Sequence, residues 1–378
     1  MNDARPRRAV FITPHYWASH RRGGVHWIAD AFRRAGWEIV FLTSGMSWPL
    51  WIRRKDWRLR YPVREEANRV VRSRDGVLSF VWVTPWHPAT LPAGWMNRLS
   101  SPLFRLYARF PLGDAEPLVR GADLLVFESS PALLLFDRFR ALAPAARTVY
   151  RISDDLRLLD YHPVVVEAEA VTIDRFGLLS IPSHYVFQQH QHRTAARFHP
   201  QGVRREIFDD DDSPSPYGKG VNAVFVGNSH FDHDFLDRAS RLAPDWTFHI
   251  IGPIPGLPER ANVVAYGEMA FERTVPYLKY ADIGLNIRSR HPAAECLAES
   301  LKVMQYTYCR LPIVAGEHLR TVFDHVAYYK PGDDTSIRAA LDAARAYDRA
   351  RIDTRAVRTW DEIARDMAAG VGLPLEAP

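Results

Sequence analysis

The chain has 378 residues, more than one hydrophobic core ordinarily serves, so two domains are expected. Its 47% hydrophobic content excludes a disordered chain, and two cysteines, Cys296 and Cys309, exclude a disulfide framework or a CxxC metal pair. The net charge of +5 invites an anionic partner, but the chain has no zinc-finger spacing, RNP motif or helix-turn-helix, so no nucleic acid is expected.

The opening MNDARPRRAVFITPHYW lacks a signal-peptide core, and no stretch approaches the ~18–20 apolar residues that span a bilayer. A soluble or peripheral protein is therefore expected. The first predicted strand is Ala9–Pro14. A helix over Val25–Trp37 follows, with Val25, Ile28, Ala29 and Phe32 at helical spacing and Gly36 near its end. Between them, His20-Arg-Arg-Gly-Gly reads either as an exposed basic turn or as a place where Arg21 and Arg22 meet an anionic group. Glu38–Thr43 is the next strand. Arg53, Arg54, Lys55, Arg58 and Arg60 are then interleaved with Trp48, Trp51 and Trp57. Cations attract anionic lipid and Trp favours the membrane interface, so this segment suggests contact with an anionic membrane surface. The alternative is an exposed basic face with the tryptophans in the core.

Further strands are expected at Leu78–Val83, Leu124–Phe127, Thr148–Ile152 and Leu178–Ile181. Strands alternating with helices imply a parallel sheet with right-handed crossovers. Phe208-Asp-Asp-Asp-Asp-Asp-Ser-Pro-Ser-Pro-Tyr interrupts the pattern and reads as a linker. A metal site is the alternative for its acids, but the EF-hand spacing and glycine are missing.

A second series of strands follows: Asn222–Gly227, Thr247–Gly252, Asn262–Gly267, Ile283–Ile287 and Pro312–Gly316. Glycines at strand ends leave room for a ligand at the carboxyl edge of the sheet, where open α/β sheets bind ligands. Neither GxGxxG nor GxxxxGK[ST] occurs. The segment from Cys296 to Gly316 reads as a helix and a strand, with Glu299, Lys302 and Gln305 on one broad helix face. That face either holds a polar ligand or is simply wet.

Several stretches carry a specific likeness: His26–Trp37, Tyr150-Arg-Ile-Ser-Asp, Ser215-Pro-Tyr, Ala223–Gly227, Phe248–Gly252, Val264-Ala-Tyr-Gly-Glu-Met and Leu301-Lys-Val-Met-Gln-Tyr. Through them the chain resembles the xanthan-type, GumK-like glucuronosyltransferases of glycosyltransferase family 70. The resemblance implies the α/β GT-B architecture, two Rossmann-like domains facing a central cleft. The expected organisation is an acceptor-binding, membrane-facing domain over 1–207, a linker over 208–220, and a nucleotide-sugar domain with a terminal helix over 221–378.

It also implies an inverting transfer of glucuronic acid from UDP-glucuronate to a polyprenyl-diphosphate-linked oligosaccharide. This would serve exopolysaccharide assembly at the cytoplasmic side of the bacterial inner membrane, with no cofactor and no metal. The family's general base lands on Asp154, whose competing role is to cap a following helix. The nucleotide-sugar residues land on Glu268, Met269, Lys302 and Gln305, with Gly227 at a strand end. Where the family has a tyrosine at the donor site, Arg288 stands here, able to meet a uronate carboxylate or a phosphate. Ser229 replaces a methionine, and the segment before Lys302 is one residue shorter. Two alternatives accompany this reading: a GT-B transferase using another nucleotide sugar, and an inactive membrane-associated scaffold.

Overall fold

The computed structural model describes residues 5–53, 57–291 and 293–375. The chain divides into two compact units, Met1–His199 with Asp361–Pro378, and Pro200–Trp360.

The first unit is built on an eight-stranded sheet. In chain order its strands are β1 (Arg8–Thr13), β2 (Glu38–Ser47), β3 (Val70–Arg72), β4 (Leu78–Thr84), β5 (Leu124–Glu128), β6 (Arg147–Arg151), β7 (Leu178–Ile181) and β8 (Ala196–Phe198). They lie in the order β3-β4-β2-β1-β5-β6-β7-β8. Only β3, at one edge, runs antiparallel to its neighbour. The central strands are apolar throughout because helices cover both faces of a parallel sheet. Val10, Phe11, Ile12, Leu124, Leu125 and Phe127 are all fully buried. Helix α1 (Gly24–Arg34) follows β1 and buries Val25, Ile28, Ala29 and Phe32, the spacing read from the sequence. Two further helices in this unit matter below, α2 (Trp48–Arg53) and α3 (Gly94–Arg105).

The second unit has a fully parallel six-stranded sheet: β9 (Val221–Val226), β10 (Trp246–Ile251), β11 (Val263–Gly267), β12 (Ile283–Asn286), β13 (Ile313–Gly316) and β14 (Val326–Tyr329). Its order is β11-β10-β9-β12-β13-β14. Both sheets reverse strand order once, between β1 and β5 and between β9 and β12. Such a reversal opens a crevice at the carboxyl ends of the two strands, where open α/β sheets take ligands.

Four expectations change. The terminal helix Trp360–Gly370, expected with the second domain, belongs almost entirely to the first unit. It buries Ile363, Ala364, Met367 and Ala368, sets Gly370 against Leu178 of β7, and pairs Asp361 with Arg34 at 2.8 Å. The expected linker is packed against the second unit. Arg205–Asp209 is helical and Phe208 is buried. The acids that follow take local partners: Asp209 accepts from the Tyr308 hydroxyl at 2.7 Å, and Asp211 lies 3.7 Å from the Lys279 ammonium.

The basic, Trp-rich segment does not divide as expected either. Arg58 is buried and donates to the carbonyls of Pro14, Ser44 and Gly45, serving as an internal brace, whereas Trp48 is 56% exposed. Arg54 and Lys55 lie outside the described residues. Finally, the helix carrying Lys302 starts only at Leu301, so Glu299 precedes it and does not share its face.

Candidate active site

At the carboxyl edge of the first sheet, β1, β5 and β6 end side by side. Thr13 closes β1 and Glu128 closes β5, while Ser153 and Asp154 follow β6. The Glu128 carboxylate is buried, and each of its oxygens accepts a hydroxyl: Oε2 from Thr13 at 2.5 Å and Oε1 from Ser153 at 2.9 Å. His15 Nε2 stands 3.8 Å from Glu128 Oε2. Two hydrogen bonds fix the His15 backbone, its N–H to Thr13 Oγ1 and the Thr43 hydroxyl to its carbonyl.

Asp154 is partly buried, with its backbone N–H directed at Ser129 Oγ. Burial, and then the charge of Glu128, push its carboxyl up to about 6, while His15 acts in the opposite sense. A carboxyl so placed takes and releases a proton near neutral pH, as a general base must. The competing capping role does not apply, since a turn follows Asp154 and the next helix, Pro163–Thr172, is capped by His162. Asp155 accepts from the Arg157 backbone N–H and clasps the Arg157 guanidinium at 2.9 and 2.6 Å. Sequence reading alone does not single out Glu128, Thr13, Ser153 or His15. The strand Leu124–Phe127 was recognised one residue short of its acid, and only the pairing β1–β5–β6 brings these groups together.

The corresponding edge of the second sheet carries the opposite charge. Lys302 and Arg288 expose only 6% and 5% of their surface, yet neither is paired with a carboxylate among the described residues. Lys302 Nζ and Arg288 Nε have no hydrogen-bond partner among those residues, nor has Ser300 Oγ at the start of the same helix. Arg288 does donate to the Ser229 carbonyl at 3.0 Å. The Lys302 ammonium lies 3.9 Å from the centroid of the Phe225 ring. Burial, and then the Arg288 charge, hold Lys302 well below the usual lysine range. Burial pushes Arg288 down to about 10. Two buried cations without a counter-charge are costly to keep unless an anion is meant to join them. Lys302 lies in the first turn of the helix Leu301–Tyr308, an end that itself favours negative charge, and the Arg288 charge reaches it.

Local sequence explains the placement. Tyr306, one turn after Lys302, takes the Val226 N–H at 3.2 Å and donates toward the carbonyls of Val224 and Leu285. It thereby pins the helix on β9 and β12, on either side of the strand-order reversal. Gly227 has φ +151°, and a Cβ there would lie 3.2 Å from Lys302 Nζ. At Gly252 a Cβ would lie 1.8 Å from the Gly227 carbonyl oxygen, so these two strand ends cross backbone against backbone.

The structure therefore brings Gly227, Arg288 and Lys302 together. Gln305 lies one turn beyond Lys302 and is half-buried, so the wet-face alternative fails for Lys302 itself. Glu268 and Met269 follow β11 on the same sheet edge, two strands away from Gly227. Glu268 is exposed, and Met269 packs partly into the core beneath. On the first unit, the Arg22 guanidinium lies 5.0 Å over the Trp17 ring and donates to the Trp17 carbonyl.

The chain as a whole has known relatives. The family model for the N-terminal domain of the glucuronosyltransferase GumK matches residues 11–182. A Xanthomonas campestris pv. campestris protein, the UDP-glucuronate:glycolipid 2-beta-glucuronosyltransferase, is 30% identical over 365 residues, spanning 93% of this chain and 87% of that one. The chain belongs to this glucuronosyltransferase family. It is accordingly a glycosyltransferase. The likeness to solved structures extends over the whole chain. Sucrose-phosphate synthase from Thermosynechococcus elongatus superposes with TM-score 0.62 at 12% identity, covering 96% of this chain and 98% of that one. The trehalose-phosphate synthase of Burkholderia xenovorans does so at 0.57 and 12%, covering 96% of each. At such identities the likeness shows the GT-B fold alone. No helix among the described residues is long and apolar enough to cross a membrane.

Proposed function

We propose that this enzyme transfers glucuronic acid from UDP-glucuronate to a hydroxyl of a polyprenyl-diphosphate-linked oligosaccharide, with inversion and without a metal, in bacterial exopolysaccharide assembly. The observation that carries the reading is the buried pair Lys302 and Arg288, neither paired with a carboxylate among the described residues, with Lys302 in the first turn of a helix. The name of the Xanthomonas relative supplies the donor and the glycolipid class of acceptor.

In the reaction, the acceptor oxygen attacks the anomeric carbon as its proton passes to the Asp154 carboxylate. The bond from that carbon to the diphosphate oxygen breaks, and UDP leaves with the electron pair. Negative charge grows on the diphosphate as the bond lengthens. A cation fixed there, Lys302, lowers the barrier and supplies what a divalent ion supplies in other transferases. Arg288 adds a second cation, suited to a donor that carries a uronate carboxylate besides its diphosphate. Gln305 serves phosphate or ribose, Glu268 accepts from ribose hydroxyls, Met269 packs near the uracil, and Gly227 admits the diphosphate.

The acceptor's lipid calls for a membrane face on the first unit. Trp95, Leu99, Leu103 and Leu106 recur at helical spacing on and just after α3, exposed by 64%, 72%, 44% and 39%. Trp48 and Ile52 on α2 are exposed by 56% and 82%. Apolar side chains at this spacing, with exposed Arg98 and Arg109 near them, suit a peripheral protein at the anionic cytoplasmic surface.

A thermal-shift panel without metal tests the donor. UDP and UDP-glucuronate at ~100 times their dissociation constants should each stabilise the protein by about 2.7 kcal/mol, and GDP-mannose should not. A larger shift with a neutral UDP-sugar would move the donor to that sugar. No shift with any nucleotide would overturn the reading.

A further inference from the structure

Asp154 has a second carboxylate beside it that no step above uses. Glu128 ends a fully buried strand, is itself 5% exposed, and has both oxygens engaged by hydroxyls from the two neighbouring strand ends. A buried acid needed only for packing has simpler replacements. A glutamine would accept from one hydroxyl and carry no charge. Instead the fold spends Thr13 and Ser153 on holding a negative charge next to the candidate base.

We propose that Glu128 is a positioning residue for Asp154: clamped by Thr13 and Ser153, its fixed charge makes Asp154 the better proton acceptor during transfer. The inference rests on the reading of Asp154 as the base. Glu128 touches neither donor nor acceptor in this role. As the acceptor's proton moves onto Asp154, the repulsion between the two carboxylates is relieved. That gain is larger in the transition state than in the ground state, the condition for a faster chemical step. Like charges at close range raise the proton affinity of one partner, as burial also does, and both act on Asp154.

The groups facing the pair come from several elements. His15 stands 3.8 Å from Glu128 on the β1 side and opposes the effect. Tyr150 and Tyr161 both feel the Asp154 charge. Arg151 feels the charge of Glu128, and Arg58 acts on Tyr161. The effect of each of these groups on the pair must be separated from that of Glu128.

A double-mutant cycle does so without substrate. The wild type, Glu128→Gln, Asp154→Asn and the double variant are unfolded by denaturant at pH 8 and at pH 5. Asp154→Asn is expected to stabilise the wild type at pH 8 more than it stabilises Glu128→Gln, with the gap shrinking toward pH 5. Additive effects at pH 8 would overturn the proposal. In turnover, the acidic limb of kcat, expected near pH 6 in the wild type, should move to lower pH in Glu128→Gln. It should return toward the wild-type position in Glu128→Asp, which keeps the charge, while the donor KM stays in place. A limb that does not move would also overturn it.

Should Glu128→Gln fail to fold, carboxyl NMR of the wild type serves instead. The Glu128 resonance should show an inflection near pH 6 that vanishes in Asp154→Asn, and its persistence there would refute the coupling. Absence of transfer by the wild type with every acceptor would overturn the functional reading. The stability cycle and the NMR titration report on the carboxylate pair regardless.

Discussion

The carboxyl edges of the two sheets are alike in topology and opposite in charge. Each lies where strand order reverses, and each gathers groups from three or four neighbouring elements. The first edge collects acids, Glu128 and Asp154, with His15 beside them. The second collects cations, Lys302 and Arg288, buried without a carboxylate partner among the described residues. Burial disfavours the charges of Asp154, Lys302 and Arg288 where they stand, and each edge suits one half of a displacement. A raised carboxyl receives a proton, and unpaired cations receive a leaving anion. The comparison teaches that the cost is placed where it becomes useful, since neither edge is electrostatically relaxed in the free protein.

The sharpest way to break the contrast is to neutralise the acid. Asp154→Asn should reduce transfer by about 10²–10⁴-fold. The UDP-induced thermal shift should survive. The folded carboxyl is pushed up to about 6, above the ordinary aspartate range, so ionising it at higher pH opposes folding. The same variant should therefore gain stability at pH 8, on the order of 1–3 kcal/mol, measured by denaturant unfolding. Loss of activity with unchanged or lower stability would separate Asp154 from the strained edge described here.

Neutralising the cation comes next. Lys302→Met should lower turnover by about 10²–10³-fold and abolish the UDP shift. It should also raise the melting temperature of the free protein, because a buried, unpaired ammonium has been removed. A variant that melts lower and still binds UDP would mean that Lys302 is held for structure.

A subtler test uses pH. Burial and Arg288 hold Lys302 below the usual lysine range in the free protein, and a bound diphosphate reverses that. Binding should then take up a proton, and UDP affinity should fall as pH rises above neutrality. Calorimetry in buffers of different ionisation enthalpy measures the uptake directly. No uptake anywhere above pH 7 would contradict a depressed lysine. The smallest effect is expected away from both edges. Trp95→Ser with Leu99→Ser should cut retention on anionic vesicles several-fold, as two exposed apolar anchors are lost, and leave the UDP shift unchanged. Unaltered retention would remove α3 as the docking face.

Much of the fold was legible because buried parallel strands announce themselves as short apolar runs. All eleven predicted strands occur, most with ends displaced by one or two residues, as Ile152 and Ile287 show, and β2 runs four residues further, to Ser47. The missed strands β3, β8 and β14 are short or at sheet edges, and β3 and β8 are only partly buried, so their patterns are weak. The terminal helix was assigned to the wrong unit because an amphipathic pattern states that a face will be buried and not against what. Arg58 misled for a related reason: a cation in a basic stretch looks exposed, and only the fold reveals three carbonyls waiting for it. At the site, the residues reached through the family resemblance lay in contiguous motifs. Arg288 emerged as a departure from the family. Glu128 had no motif, since its importance depends on which strands stand beside β5.

The account rests on the acid of the first unit and the cation of the second acting in one transfer. The measurement that bears on this most directly follows labelled glucuronate from UDP-glucuronate into a polyprenyl-diphosphate-linked oligosaccharide, with chelator present. The wild type, Asp154→Asn and Lys302→Met are compared. The account predicts labelled lipid with the wild type and a loss of at least about 10²-fold with either variant, with UDP binding retained only in Asp154→Asn. Wild-type transfer by Asp154→Asn, or an absolute need for added metal, would contradict it.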